Sequence, residues 1–310
     1  MAFTNTFREI SIAMATKQDK MVDQLLEEAP ILEMIPVMPT SDGLQHKYEE
    51  VESVTGASLL ELDDVLPTAS ASTSLKKVDM SVIGCKMEVG EDLAKAFGGP
   101  AAYFNMKQPM ILKDTGADAE ASIIYNSLRA YAITNDSSLA GTHVIDATGT
   151  GSTNYSILAV KWSEGECYGL YNEEGFGRKA MLEMEALSGG SVYLNSSGVA
   201  VYGVRLKSYF GMLLANARNV ASIVNIDIAN SKLPTSDQMD ALIDCVRGQT
   251  GGSTWLYMHP KVATALQTYK TAKLNLFVGD DNIEHTFDAW NGIPILTSYN
   301  FKNGNEARVT

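Results

Sequence analysis

The stretch YSILAVKWSEGECYGLY, residues 155–171, decides the fold class of this chain. Two apolar runs, 155–162 and 166–171, lie on either side of the polar turn Ser163–Gly165. Short apolar runs that are rich in β-branched and aromatic residues and bounded by turn residues are typical of buried strands. The middle of the chain is therefore predicted to carry strands of a β-sheet core.

Further strand signals follow toward the C-terminus. Residues 191–194 and 199–207 predict a strand pair around the turn Asn195–Gly198, and residues 209–225 continue as a largely apolar stretch. A hairpin is predicted near the end of the chain, because Asn-Gly at 291–292 is a favoured two-residue turn.

Helices with clear start signals alternate with these strands. Thr235 and Gln238 fit a capping box that opens a helix, and Gly248 follows its end. The apolar stripe of this helix consists of Met239, Leu242, Ile243 and Val246. A short strand, Thr254–Met258, leads into a helix whose first residue is Pro260. This part of the chain therefore alternates between strand and helix.

The firmest helix lies upstream, at AEASIIYNSLRAYAI, residues 119–133. Its apolar residues recur at helical spacing. Gly98–Pro100, Pro109 and Gly116 are expected to interrupt the helical region before it. The Gly-, Thr- and Ser-rich residues 134–153 predict a connector and a domain boundary.

The region before this helix predicts a long two-stranded protrusion. Residues 44–53 and 76–89 have strand character, and residues 54–74 between them have little periodicity. The apolar parity of the second strand shifts around Gly84, which predicts a bulge or bend. An isolated two-stranded ribbon is marginally stable in water. Contacts from outside the monomer are therefore expected to hold it.

A short arm precedes the ribbon. A helical stripe is formed by Met14, Met21, Val22, Leu25 and Leu26. Pro30, Pro36 and Pro39 are expected to prevent any further helix. A one-sided amphipathic helix has to cover its stripe, so the arm needs either the body of the subunit or a neighbouring subunit.

Composition excludes several classes of protein. The chain has 310 residues, of which 45% are hydrophobic and 20% charged, so it is neither disordered nor collagen-like. Its length exceeds what one core usually holds and predicts either two packed units or one unit with extended segments. The net charge of −13 leaves no basic face for nucleic-acid binding. No apolar stretch is long enough for a membrane span, and the N-terminus does not resemble a signal peptide, so we expect a soluble, unsecreted protein.

No motif predicts a catalytic, cofactor-binding or metal site. The isolated histidines are His46, His143, His259 and His285, and the isolated cysteines, expected as free thiols, are Cys85, Cys167 and Cys245. Gly149–Gly151 resembles part of a dinucleotide fingerprint but leads into a strand rather than a helix. The acid pairs Asp63–Asp64, Glu173–Glu174 and Asp280–Asp281 fit solvated loops better than cation sites.

Five blocks in order resemble the major capsid proteins of tailed bacteriophages, of the podophage-type and related families with the Hong Kong 97-like fold. They are SILAVKWSEGECYGLYNEEGFG (156–177), VYGVRLKSYFGMLLANARNVASIVNID (201–227), LPTSDQMDALIDCVR (233–247), TWLYMHPKVATAL (254–266) and DAWNGIPILTSYNF (288–301). Residues 121–133 resemble the end of the family's spine helix, and the region before about residue 90 matches by layout.

The resemblance implies an α+β Hong Kong 97-like capsid fold in several parts. These are an N-terminal arm with an amphipathic helix (1–40), an extended two-stranded loop (41–89), a peripheral domain with the spine helix (90–151 and 283–310) and an axial domain (152–282). The implied function is self-assembly, as hexamers and pentamers, into an icosahedral shell that encloses double-stranded DNA without sequence-specific binding. It also implies a virion protein assembled in the bacterial cytoplasm, without cofactors, enzymatic activity or a membrane.

The resemblance further implies partners and leaves alternatives. The partners are a separate scaffolding protein, a portal and, in some members, a decoration protein. Some members also cross-link a loop lysine to a neighbour; Lys76 and Lys77 lie in this loop, but no sequence feature predicts the reaction. The alternatives are an encapsulin-type nanocompartment shell, an α+β enzyme, and a phage tail or adhesin component.

Overall fold

The computed structural model describes residues 6, 24–56, 65, 68–136, 139, 141–172, 182–248, 253–274 and 289–310. The helices are α1 (Pro30–Met34), α2 (Glu91–Ala96), α3 (Pro100–Ser122), α4 (Ala130–Asn135), α5 (Ser236–Cys245) and α6 (Pro260–Leu274). The strands are β1 (Val37–Pro39), β2 (Gln45–Thr55), β3 (Ser70–Asp79), β4 (Ser81–Gly90), β5 (Val144–Asp146), β6 (Tyr155–Trp162), β7 (Cys167–Tyr171), β8 (Leu182–Ala186), β9 (Tyr193–Leu194), β10 (Ala200–Leu214), β11 (Val220–Ile226), β12 (Ser253–Met258), β13 (Ala289–Trp290) and β14 (Ile293–Thr297).

One continuous helix runs through the subunit. It consists of α3, the π-helical segment Ile123–Arg129 and α4, and we call it the spine helix. The helix predicted at 119–133 is therefore confirmed, but the interruptions predicted at Pro109 and Gly116 are wrong, because both residues lie inside α3. A Cβ at Gly116 would overlap the Leu25 carbonyl oxygen. Glycine is needed there because the arm backbone lies directly on the helix, not because the helix ends.

The first six-stranded sheet has the order β1-β7-β10-β4, with β8 and β9 also paired to β10. Strands β4 and β10 pair without a register shift from Ser81 to Gly90, so the bulge predicted at Gly84 is wrong. A Cβ at Gly84 would overlap the Leu206 carbonyl oxygen of β10, which explains the glycine. The parity changes because the chain leaves the ribbon at Met80 and pairs with a new strand.

The second six-stranded sheet, which we call the central sheet, has the order β13-β14-β12-β6-β11-β5. Alternate residues of β6 enter different cores, with Leu158 and Val160 facing the spine helix and arm, and Ile157 and Ala159 facing α5 and α6. A strand with both faces covered reads as a continuous apolar run, which is why β6 was predictable.

The end of the chain departs from the expectation that residues 283–310 return to the peripheral unit. Strand β14 pairs in parallel with β12 inside the central sheet. Only the residues after it, 298–310, run back along the spine helix, as the ring contact of Phe301 with Tyr125 illustrates. The strand belongs to the central sheet because β12, α6 and β14 form a parallel β-α-β unit.

Several local predictions are confirmed. Thr235 and Gln238 form the complete capping box of α5, and Pro260 is the first residue of α6. The β9–β10 and β13–β14 hairpins form at the predicted turns. The runs 155–162 and 166–171 are both strands, but β6 and β7 belong to different sheets.

Candidate assembly surfaces

The arm segment 24–39 lies on the subunit's own core. Leu25, Ile31 and Leu32 are fully buried, in the same cluster as apolar residues of the spine helix. The prediction that Pro30 prevents further helix is wrong, since it opens the short helix α1. Proline is tolerated at a first helical position, where its missing N–H would have no partner. The body of the subunit therefore covers this part of the arm, whereas Met14, Met21 and Val22 lie outside the described residues.

Glu120 of α3 joins the arm and the C-terminal segment through one buried carboxylate. Its Oε2 accepts the backbone N–H groups of Ile31 at 2.7 Å and Leu32 at 3.1 Å. Its Oε1 accepts the Ser298 hydroxyl and the side-chain N–H of Asn300 at 2.9 Å. Burial raises the pKa of Glu120, and the four donors oppose that rise. A buried carboxylate that accepts four hydrogen bonds links three segments that are distant in sequence, namely the arm, the spine helix and the C-terminal segment.

Glu306 is a second buried carboxylate between the C-terminal segment and the spine helix. It accepts the hydroxyl of Tyr125 at 2.7 Å and that of Ser156 at 2.9 Å. The Arg129 guanidinium lies 3.5 Å away. Burial raises the pKa of Glu306, and Arg129 is the strongest influence against that rise. Glu120 and Glu306 thus attach the segment after β14 at two points.

The β2–β3 ribbon, Gln45–Asp79, contrasts with the arm. Its base is anchored: the Tyr168 hydroxyl lies 3.2 Å from His46 Nε2, and Tyr48 and Val78 pack beside Tyr168. Burial at this base lowers the pKa of His46. Farther out, residues 70–73 are all exposed, and Leu75 is 72% exposed. The exposure of these described residues suits contact with another chain.

Large exposed apolar side chains also lie at two other places. On α2 and the first half of α3 they are Leu93, Phe97, Met106 and Met110, and around the β9–β10 turn they are Val192, Leu194 and Val199. Exposed apolar groups concentrated on particular faces mark interaction surfaces more often than scattered ones do.

The residues considered for chemistry do not come together. His46 lies at the ribbon base, His143 precedes β5 and His259 precedes α6, while His285 and the three acid pairs lie outside the described residues. Within the described part of the chain, no group of three or more His, Cys, Asp or Glu could hold a metal ion. Burial raises the pKa of the Cys167 and Cys245 thiols, which disfavours thiolate chemistry at both. Among those same residues, no helix is long and apolar enough to cross a membrane.

The glycines of the dinucleotide-like motif have packing roles. A Cβ at Gly149 would overlap the Asn225 carbonyl oxygen, and one at Gly151 would overlap the Asp227 carboxylate. Sequence analysis missed Glu120 and Glu306. The available signal for Glu120 was a single acid within the apolar stretch at 119–124.

The family model described as Major capsid protein GP7 matches residues 14–310. A chain from the cryo-EM structure of bacteriophage epsilon15 has a TM-score of 0.59 at 16% identity, covering 88% of this chain and 87% of that chain. That similarity shows a shared fold. No curated protein matches the sequence.

Two other solved structures are more distant. A capsid chain of bacteriophage JBD30 has a TM-score of 0.47 at 11% identity, covering 84% of this chain and 87% of that chain. A chain of the SrpI encapsulin complex from Synechococcus elongatus has a TM-score of 0.45 at 10% identity, covering 65% of this chain and 88% of that chain.

Proposed function

We propose, from the premise that this chain belongs to the Major capsid protein GP7 family, that its copies join through the ribbon and the exposed apolar faces. The protein is a structural, shell-forming subunit of a phage capsid and therefore part of the virion. The proposal concerns how the shell is held together and what it encloses.

The observation that carries the proposal is the exposed ribbon. A ribbon whose described residues are anchored at the base and exposed farther out gains order when another chain covers it, because binding that selects the folded state stabilises it. Contacts of the ribbon with a different surface of the next copy are heterologous, and such contacts close into rings when the rotation allows it. The rings we propose are hexamers and pentamers, whose combined interfaces exceed the roughly 1,600 Å² of a standard complex.

The division of the chain into units is part of the proposal. It assigns residues 1–40 to the arm, 41–89 to the extended loop, 90–151 to the peripheral unit and 152–282 to the axial unit. Residues 298–310 connect the last two units, in keeping with the bonds that Glu120 and Glu306 make to this segment.

The enclosed genome and the other partners are proposals as well. A net charge of −13 supports enclosure of double-stranded DNA without tight binding, since phosphate contacts need a basic face. A separate scaffolding protein, a portal and a decoration protein are proposed partners, and the host cytoplasm is the proposed place of assembly. The role proposed for the subunit is structural, without enzymatic activity.

The test removes the outer ribbon and keeps its anchored base. Glu50 faces Ser74 across the ribbon, so a two-residue Asn-Gly turn can replace residues 51–73. We expect the shortened subunit to unfold cooperatively, as the full chain does, but electron microscopy should find no closed shells. Normal shells from the shortened subunit would contradict the proposal. A matched control replaces Glu164 and Gly165 of the exposed β6–β7 turn, outside the proposed contact surfaces, with Asn-Gly.

A further inference from the structure

A cleft of about 730 Å³ lies where strands β11, β12 and β14 end. Its lining includes Tyr155, His259, Lys261 and Tyr299. Strands β11 and β12 both run antiparallel to β6, and β14 runs parallel to β12, so all three end at the same edge. Clefts outside the carboxyl ends of strands are favoured binding positions in sheets of this kind. The first turn of the long helix α6 adds the positive end of its dipole.

His259 presents a fixed hydrogen-bond donor to this cleft. Its Nδ1 accepts the backbone N–H of Lys261 at 3.0 Å, so the proton of the neutral ring resides on Nε2. Burial, with Lys261 as a second cause, lowers the pKa of His259, which keeps the ring neutral at pH 7. The residue is only 3% exposed, and within the described chain its Nε2 has no hydrogen-bond partner. Although the residue as a whole is buried, Nε2 is not an enclosed atom, and a donor that opens onto a cleft can bind a ligand that supplies an acceptor.

Charge and aromatic surface define what the cleft can accept. Lys261 is exposed, and its ammonium makes no ion pair with the described residues. The rings of Tyr155 and Tyr299 lie 5.7 and 5.8 Å from the His259 ring, measured between centroids. Tyr299 is 81% exposed although it packs on a buried ring. Exposed tyrosines beside a pocket are typical anchors of protein–protein interfaces.

A negative charge lies behind one of the lining residues. Thr153, which also lines the cleft, donates to the Asp227 carboxylate at 3.1 Å. The cleft therefore has the Lys261 ammonium in its lining and the Asp227 carboxylate behind Thr153. This arrangement suits a single carboxylate on a peptide and disfavours a continuous row of phosphates. The chain supplies such carboxylates in excess, because it has 37 acidic residues and 24 basic ones.

We propose that this cleft binds an acidic segment of a neighbouring copy of the chain. A carboxylate of that segment pairs with the Lys261 ammonium and accepts the Nε2–H of His259, and its aliphatic part lies on Tyr299. The proposal rests on the proposed function, because it requires copies to assemble, and it adds a specific inter-subunit contact.

Zero-length cross-linking tests this contact. Shells are assembled from equal amounts of ¹⁴N- and ¹⁵N-labelled subunits and treated with a water-soluble carbodiimide. An amide forms between Lys261 Nζ and the partner carboxyl carbon, while the carbodiimide takes up the lost oxygen as a urea. We expect a Lys261 peptide joined to an acidic peptide of the other isotope label, and no such product from unassembled subunits. Shells whose Lys261 forms no mixed-label product overturn the proposal and leave the shell-forming function untouched.

Point variants sharpen the test. Lys261→Glu should raise the subunit concentration needed for assembly about tenfold, the equivalent of one charge-assisted hydrogen bond, and Lys261→Arg should not. His259→Asn keeps an acceptor for the Lys261 N–H, removes Nε2–H and should also weaken assembly. Arg218→Glu, in the exposed turn before β11, is the matched control of charge. Assembly of Lys261→Glu at the wild-type concentration would contradict the proposal. Acetylation of Lys261 is a second measurement: protection that occurs only in DNA-filled shells would also contradict it, because it would indicate a phosphate ligand.

Discussion

The arm and the ribbon are alike in their sequence prediction but differ in how much of each is buried in the structure. Both precede the spine helix, and both are predicted from sequence to need contacts beyond themselves. In the structure, arm residues 24–39 insert apolar side chains into the subunit's own core, whereas ribbon residues 70–79 remain mostly exposed. The subunit's own body therefore covers this part of the arm, and the contacts proposed between copies concern the ribbon.

Side-chain composition explains the difference. Five Leu and Ile residues of the arm are at most 4% exposed, namely Leu25, Leu26, Ile31, Leu32 and Ile35. Burying each of them contributes about 1.5–3 kcal/mol, which offsets the entropy of ordering the segment. The ribbon strand SASTSLKKVD, by contrast, offers mainly small and charged side chains. It has little to bury on its own subunit.

Truncating the arm core should have the largest effect. Leu32→Ala removes a fully buried side chain and should lower the free energy of unfolding by about 2–5 kcal/mol. The measurement is denaturant unfolding of the unassembled subunit. The matched ribbon variant Leu75→Ala should change that free energy by less than about 0.5 kcal/mol, since Leu75 is 72% exposed. Equal losses for the two variants would remove the distinction between the two regions.

Glu120 tests how the arm is attached. Glu120→Ala leaves four donors without their acceptor and should cost about 2–4 kcal/mol of unfolding free energy. Glu120→Gln should cost less, because its amide oxygen can still accept the Ile31 and Leu32 N–H groups and its NH₂ can donate to Ser298. Both values come from the same unfolding experiment. Near-equal costs would mean that side-chain volume, rather than hydrogen bonding, attaches the arm.

The two buried carboxylates predict a pH dependence with a definite sign. Burial raises the pKa of Glu120 and Glu306 above the ordinary value of 4.5, so the folded subunit binds their protons more tightly than the unfolded chain. The stability that this linkage contributes is complete below about pH 4.5 and is lost as the pH rises through the raised pKa values.

The double variant Glu120→Gln, Glu306→Gln should therefore lose less unfolding free energy than the wild type over that rise in pH. Unfolding curves collected at a series of pH values measure the difference. Glu164→Gln, in an exposed turn, serves as the control. Identical pH profiles for the double variant and the wild type would disprove the assigned direction of the pKa shifts.

A charge change in the ribbon should have the smallest effect on the subunit. Lys76 pairs with Glu50 across the ribbon, and both side chains are at least partly exposed. Exposed ion pairs contribute about 0.2–1 kcal/mol, so Lys76→Gln should barely change the thermal midpoint of the subunit. Light scattering should nevertheless detect slower shell formation. A large drop in the midpoint would show that the ribbon is part of the subunit's own fold.

A structural feature was predictable from the sequence when the residues that cause it are neighbours in the chain. The capping box at Thr235 and the hairpin turn at Asn291 arise from neighbouring residues and were predictable. Gly116 was wrongly predicted to interrupt the helix. A glycine is required there because the arm backbone at Leu25, far away in the chain, lies against the helix. Glu120 was missed for the same cause, since its partners Ile31 and Ser298 lie 89 and 178 residues away.

Hydrogen exchange of the same protein before and after assembly tests the central claim most directly. The backbone amides of α1 and β1 should be protected in the unassembled subunit and in the shell alike. The amides of β2 and β3 beyond the anchored base should exchange quickly in the unassembled subunit and become protected in the shell. Ribbon amides that are already protected in the unassembled subunit, or that stay unprotected in the shell, would contradict the account.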